Sequence, residues 1–237
     1  MRSRRTMKRK EGGNETFLRR LPELHRGELL HLSSEHRYRT GEVLMSEGEQ
    51  RSPDVMILLS GLVKVTKRLG NGNEGLLAVR ADGDVVGEMA ALNNAPRSAT
   101  VTACGEVHAR IVRGEDLRTF LKARPEAMQT ITEIIIQRLR RANNWRIDFG
   151  SYPVKVRLAR ALVDLAALYG RHGRRGIIIG IAFSQSELAG LVGSTKETTH
   201  KALAELRDAG LVEVHYARQI IMNLDRLCQI ARLEDPE

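Results

Sequence analysis

VVGEMAALNNAPRSATV, residues 85–101, is an apolar stretch that carries two opposite charges, Glu88 and Arg97, the second directly after Pro96. A charged side chain leaves water only at high cost unless it finds a partner. Two readings follow. The carboxylate and the guanidinium neutralise each other as an internal salt bridge, or each holds a different end of a body that the sequence does not contain.

Outward from this stretch, residues 38–112 alternate short apolar runs with Gly, Asn and Asp turns. VMILL, LVKVTK, LLAVR, ATVTA and VHARIV lie between turn clusters such as RTGE, SEGE, LGNGNEG, ADGDVVG, NNAP and ACGE. Many short strands at this spacing predict an antiparallel barrel or sandwich. On its N-terminal side, FLRRLPELHRGELLHLSSEH (17–36) reads as a short helical entry with Leu21, Leu24, Leu29, Leu30 and Leu32 available for one face. Residues 1–16 read as a disordered basic tail.

PEAMQTITEIIIQRLRRANNWRIDF (125–149) opens with Pro125-Glu126 and has no internal Gly or later Pro. That predicts a helix of about 22 residues, roughly 33 Å long. Met128, Ile131, Ile135, Leu139 and Ala142 recur at spacings of three and four on one stripe. Ile134 and Ile136 are also apolar, more than one small barrel can cover, so a second copy of the helix is the expected partner and the chain is expected to form a homodimer.

Past Gly150 and Pro153 a new unit begins. VKVRLARALVDLAALYG (154–170) is amphipathic and ends at Gly170, RHGRRG reads as a loop and IIIGIAF as a strand. In FSQSELAGLVGSTKETTHKALAELRDAGLVEVH, Ser184 to Glu187 forms one capping box and Ser194 to Glu197 a second. Two short helices joined through Gly193, with small Ala189 at the contact, describe a helix-turn-helix. Its second helix would present Ser194, Thr195, Lys196, Glu197, Thr198, His200 and Lys201 to DNA. Lys can donate to guanine, Glu can accept from cytosine, and hydroxyls such as that of Ser184 or helix N-termini can hold phosphate. LVEVHYARQIIMN then alternates about a turn near Ala217-Arg218, a wing that would lay Arg218 along the DNA backbone.

Composition agrees with this reading but does not carry it. The 237 residues are 42% hydrophobic and 28% charged, with net charge +9 and pI ≈ 10.0. Six Lys/Arg against two Glu in the first sixteen residues supply +4 of that +9, so charge alone is weak evidence for nucleic acid. No apolar run approaches a membrane span and no apolar core follows the basic start, so a cytoplasmic protein without a membrane is expected. Cys104 and Cys228 stand far apart, which predicts two ordinary thiols and no metal. His25, His31 and His36 have no coherent ligand spacing and read as surface residues. With no Ser-His-Asp set, P-loop, H-E-x-x-H or acidic metal cluster, the chain is not expected to be an enzyme, and no cofactor is expected.

The combination resembles the cyclic-AMP receptor protein / fumarate-nitrate regulator (CRP/FNR) family of bacterial transcription factors, over about residues 17–230. The most specific part is GEMAALNNAPRSATVTA, which looks like that family's phosphate-binding cassette: G-E-x-A-L, a spacer, then P-R-[ST]-A. LSGLVKV (59–65) resembles its glycine-containing strand pair. The resemblance implies an α+β fold with an N-terminal antiparallel, jelly-roll-like β-roll that binds a cyclic nucleotide, a long dimerisation helix, and a C-terminal winged helix-turn-helix. It divides the chain into a tail (1–16), a β-roll (17–124), the helix (125–149), a DNA-binding unit (150–230) and a tail (231–237).

By the same resemblance, Gly87, Glu88, Met89, Ala90, Arg97, Ser98 and Ala99 line the pocket. Arg97 pairs with the cyclic phosphate, Ser98 adds a hydrogen bond and Glu88 accepts from the ribose 2′-hydroxyl. The base is read from the long helix, where relatives that bind cyclic AMP present Thr and then Ser or Asn. This chain has Ala142 and Asn143; cyclic AMP is the expected effector, with weak affinity for it, cyclic GMP or another effector left open by Ala142. Lys196 and Lys201 stand where the family often has Arg, with Glu197 retained. The implied partners are double-stranded DNA, a second copy of the chain and RNA polymerase. A haem or gas sensor of the same architecture would not need the cassette, and a nucleotide-gripping subunit acting on a partner protein would not need the helix-turn-helix.

Overall fold

The computed structural model describes residues 16–50, 54–68, 70, 74–215 and 218–232. The expected tails 1–16 and 231–237 lie almost wholly outside them. The chain opens with helices α1 (Phe17–Arg20) and α2 (Glu23–His31), followed by strands β1 (Ser33–Tyr38), β2 (Val43–Met45), β3 (Val55–Ser60), β4 (Val63–Arg68), β5 (Glu74–Arg80) and β6 (Val85–Val86). Helix α3 (Glu88–Asn93), strands β7 (Thr100–Ala103) and β8 (Val107–Val112), and helices α4 (Gly114–Ala123) and α5 (Pro125–Ser151) complete this half. The second half is α6 (Val154–Tyr169), β9 (Gly170–His172), β10 (Ile177–Ala182), α7 (Gln185–Leu191), α8 (Lys196–Asp208), β11 (Val212–His215), β12 (Arg218–Ile221) and α9 (Leu224–Ile230).

Two four-stranded antiparallel sheets, in the orders β1-β8-β3-β6 and β2-β7-β4-β5, form the expected β-roll. Five of its strands are the five predicted runs. β1 overlaps the end of the expected helical entry: Pro22, which offers no N–H, splits that entry into α1 and α2, and the polar SSEHRY then pairs along the edge of β8 from Ser33↔Val112 to Tyr38↔Val107. The single leucine face dissolves accordingly, with Leu21 and Leu29 buried but Leu24 and Leu32 exposed. His25 is no surface residue, because its ring packs edge-on against Phe120.

Helix α5 runs 27 residues, through Gly150 to Ser151. Its apolar stripe splits. Ala127, Ile131 and Ile134 are buried with Val55, Leu117 and Leu121 beneath the roll, whereas Met128, Ile136, Leu139, Ala142 and Ile147 stay exposed. The segment read as the RHGRRG loop begins as a strand, since Gly170 is extended and β9 pairs with β10.

The C-terminal unit packs α6 against α7, α8, α9 and the β10 strand around Leu158, Leu162, Leu188, Leu206 and Ile179. Leu162 has no solvent exposure. Leu162→Ala should therefore cost about 3 kcal/mol, within the roughly 2.7–5 kcal/mol of buried Leu→Ala changes. Urea unfolding reads it; a loss below ~1 kcal/mol would place Leu162 outside the core.

Candidate functional site

Gly87 ends β6 and enters α3 with φ of +83°, a conformation that favours glycine. A Cβ there would stand 2.6 Å from Arg97 Nη1 and 2.7 Å from Met45 Cε. The glycine is thus what lets the arginine lie against the cassette backbone. Arg97 itself is held by main-chain bonds on both sides: its N–H donates to Glu49 O (3.0 Å), and its carbonyl accepts from Gly48 N–H (2.9 Å).

Glu88 and Arg97 are both buried, yet they do not pair. Arg97 Nη1 donates to Gly87 O at 3.2 Å, its Nε has no partner, and no described carboxylate stands within ion-pair distance. Burial lowers its pKa, while Glu49, Asp54 and Glu88 act on it only through space in the opposite sense. Glu88 instead accepts from Arg138 Nη1 of α5 at 2.7 Å. Arg138 also donates to Val85 O (2.9 Å) and reaches Asp84 Oδ1 (3.4 Å). The carboxylate is therefore already satisfied from within the chain, and the guanidinium of Arg97 is not.

Around them, Ala90 and Ala99 are buried, Met89 and Ser98 are exposed, and Ser98 Oγ lies 3.9 Å from Met89 Sδ. Ala142 sits on α5 one turn beyond Arg138, a spacing that shares a helix face; it and Asn143 are both exposed. Sequence reading missed Arg138. Its signal was spacing: residue 138 continues the Ile131–Ile134 stripe, so a charged group there faces the roll and must have a partner.

In the second half, Ser184 caps α7 as predicted, accepting from Glu187 N–H (3.1 Å) while Glu187 Oε2 accepts from Ser184 N–H (2.7 Å). The second capping box is not made. Thr195, not Ser194, is the N-cap of α8 and accepts from Thr198 N–H at 3.2 Å. Glu197 turns back on its own backbone N–H and the Thr195 hydroxyl, which hold its pKa below the ordinary carboxylate value. Gly193 makes the turn with φ of +59°.

Thr195, Lys196, Glu197, Thr198, His200 and Lys201 are all exposed and Ser194 half-buried, so these side chains share the N-terminal part of one helix and the turn before it. β11 and β12 pair antiparallel from Val212↔Ile221 to His215↔Arg218 as the wing. Its turn, Tyr216-Ala217, and the Arg218 side chain fall outside the described residues.

A phosphate-cassette roll joined by a long helix to a winged helix-turn-helix defines a transcription regulator that binds DNA and a cyclic nucleotide. Residues 35–124 match the family described as cyclic nucleotide-binding domain, and 156–230 match the Crp-like helix-turn-helix domain. The chain is 31% identical to a CRP-like cAMP-activated global transcriptional regulator of Mycobacterium tuberculosis, over 81% of this chain and 85% of that protein. A CRP-family regulator from Thermus thermophilus superposes with TM-score 0.70 at 25% identity, covering 83% of this chain and 96% of that one. The c-di-GMP-responsive regulator CLP of Xanthomonas campestris shares the fold, with TM-score 0.74 at 20% identity over 85% of this chain and 100% of that one. The chain belongs to the CRP/FNR family of transcription regulators. No described helix is long and apolar enough to cross a membrane.

Proposed function

We propose that the protein is a cyclic-nucleotide-controlled dimer that binds a pseudo-palindromic operator, with cyclic AMP as the favoured effector. The observation that carries this reading is Arg97: a buried guanidinium with no carboxylate in ion-pair distance among the described residues, in a motif whose relatives take a cyclic phosphate. Gly87, Met89, Ala90, Ser98 and Ala99 complete that pocket. On entry of the nucleotide, its ribose hydroxyl would compete with Arg138 for Glu88, which ties occupancy of the cassette to the position of α5. Ala142 offers no hydroxyl to a base, so cyclic GMP is the second reading, left open by that residue together with Asn143.

Division of the chain at residues 16, 124, 149 and 230 assigns the roll to sensing and the last unit to DNA, with action in the bacterial cytoplasm and RNA polymerase as a further partner. Two recognition helices would enter successive major grooves about 34 Å apart. Ser184 and Arg218 would hold phosphates, and Ser194, Thr195, Lys196, Glu197, Thr198, His200 and Lys201 would meet the groove. Fluorescence anisotropy on a duplex selected from random sequence tests this. The expected result is an affinity that rises with cyclic AMP or cyclic GMP; an affinity indifferent to both overturns effector control.

The exposed stripe on α5 supports the dimer. Leu139 is 60% exposed in the single chain, so Leu139→Glu should leave folding intact and shift the light-scattering mass from twice 26.5 kDa to one chain. A wild type already monomeric at micromolar concentration would rule out this arrangement.

A further inference from the structure

We propose that the β4–β5 hairpin of the roll clamps the helix-turn-helix, so that the contact of Lys64 with Glu187, and of Gly75 with Gly190, sets the orientation of the recognition helix. Lys64 Nζ lies 2.9 Å from both carboxylate oxygens of Glu187, across 123 residues of sequence, and both side chains are largely buried. Glu187 is also the capping-box residue of α7. One carboxylate thus ties the hairpin to the first turn of the helix-turn-helix.

Beside this pair the backbones touch. A Cβ on Gly190 of α7 would stand 2.8 Å from Gly75 Cα of β5. Leu76 and Val79 of β5 are buried inside the core of the C-terminal unit, with Leu62 and Cys104 packed on its edge. The Tyr169 hydroxyl donates to Val79 O at 2.8 Å.

This contact lies on a short covalent and hydrogen-bonded route from the cassette. β7 starts two residues after Ser98 and pairs along its length with β4, where Thr102 faces Lys64. A shift of the Arg97–Ala99 segment is therefore passed to Lys64 through one pair of strands, a path separate from α5 and its joint with α6. Two discrete packings of such a contact are what coupling between sites requires.

The coupling half of the proposal rests on the cyclic-nucleotide reading; the clamp itself does not. The full-length Lys64→Ala and Gly190→Ala proteins test both. The first removes the ion pair. The second favours the helix intrinsically but drives a methyl group into Gly75. Cys104 reports on the contact, because burial pushes its thiol up to about 11 while the Lys64 charge acts to lower it. Loss of that charge without opening would slow alkylation by iodoacetamide at pH 8. Opening would speed it, with full exposure raising the thiolate fraction on the order of 100-fold.

Peptide mass mapping, which separates Cys104 from Cys228, should show Cys104 alkylated about tenfold faster in both variants. The ratio of DNA affinities with and without nucleotide should shrink about five- to tenfold. Unchanged or slower alkylation in both variants overturns the clamp. Faster alkylation with a wild type indifferent to both nucleotides sustains the clamp and refutes the effector reading. Faster alkylation with an unchanged ratio in a responsive protein overturns the coupling.

Discussion

Arg97→Leu is expected to lose cyclic-nucleotide binding by a factor of about 100 to 1,000 while its melting temperature stays level or rises. The two effects part because Arg97 contributes little to the chain alone. It makes one long bond to a carbonyl, leaves Nε unpaired, and its charge is opposed by burial. Removing a buried, unpaired charge in favour of a similar apolar volume is neutral to stabilising. A phosphate would instead accept two charge-assisted bonds, each worth roughly 1.5–3 kcal/mol. Arg97→Lys keeps the charge but not the planar fork and should fall between, about tenfold weaker than wild type. Calorimetry and a thermal melt on the same samples read both quantities. Binding by Arg97→Leu within threefold of wild type would remove the guanidinium from the pocket.

The second large effect is expected on the recognition helix. Lys196→Ala and Lys201→Ala should each weaken specific DNA binding about tenfold, and together on the order of 100-fold. Two phosphate-facing cations would lower the slope of log affinity against log salt by about 1.8, at about 0.9 for each. A side chain that reads a base changes sequence preference with little change in slope. The salt series thus separates the two roles for each lysine. Both residues are exposed, so folding should be untouched, and retention of wild-type affinity by the double variant would move the interface elsewhere.

The sequence was legible where one short segment contains its own reason. β3, β4, β5, β7 and β8 announce themselves by apolar runs between turns, and the Ser184 cap by four consecutive residues. β1 was not, because SSEHRY is polar and is held at a sheet edge by backbone pairing. β2 and β6, at three and two residues, are too short for any period. At the start of α8, Ser194 and Thr195 both offer a hydroxyl, and only the backbone decides that Thr195 is the cap.

In the cassette the motif brought Glu88 and Arg97 together in sequence but did not show what answers Glu88. Arg138 lies 50 residues from Glu88, and Glu187 lies 123 residues from Lys64. Lys64 and Glu187 each look like part of a solvated face until the fold brings them together. Long-range pairing of opposite charges has no local period: the stripe through Ile131 and Ile134 shows that Arg138 faces the roll, but not which carboxylate answers it.

The two charges of residues 85–101 are thus not each other's partners: Glu88 is answered by Arg138 of α5, and Arg97 has no described carboxylate beside it, which is why we propose it as the anchor for a cyclic phosphate. Calorimetric titration of cyclic AMP and of cyclic GMP into the full-length protein tests that account most directly. It predicts saturable binding of at least one of them at one nucleotide per chain, lost in Arg97→Leu. No binding of either by the wild type, with the fold intact by circular dichroism, would contradict it.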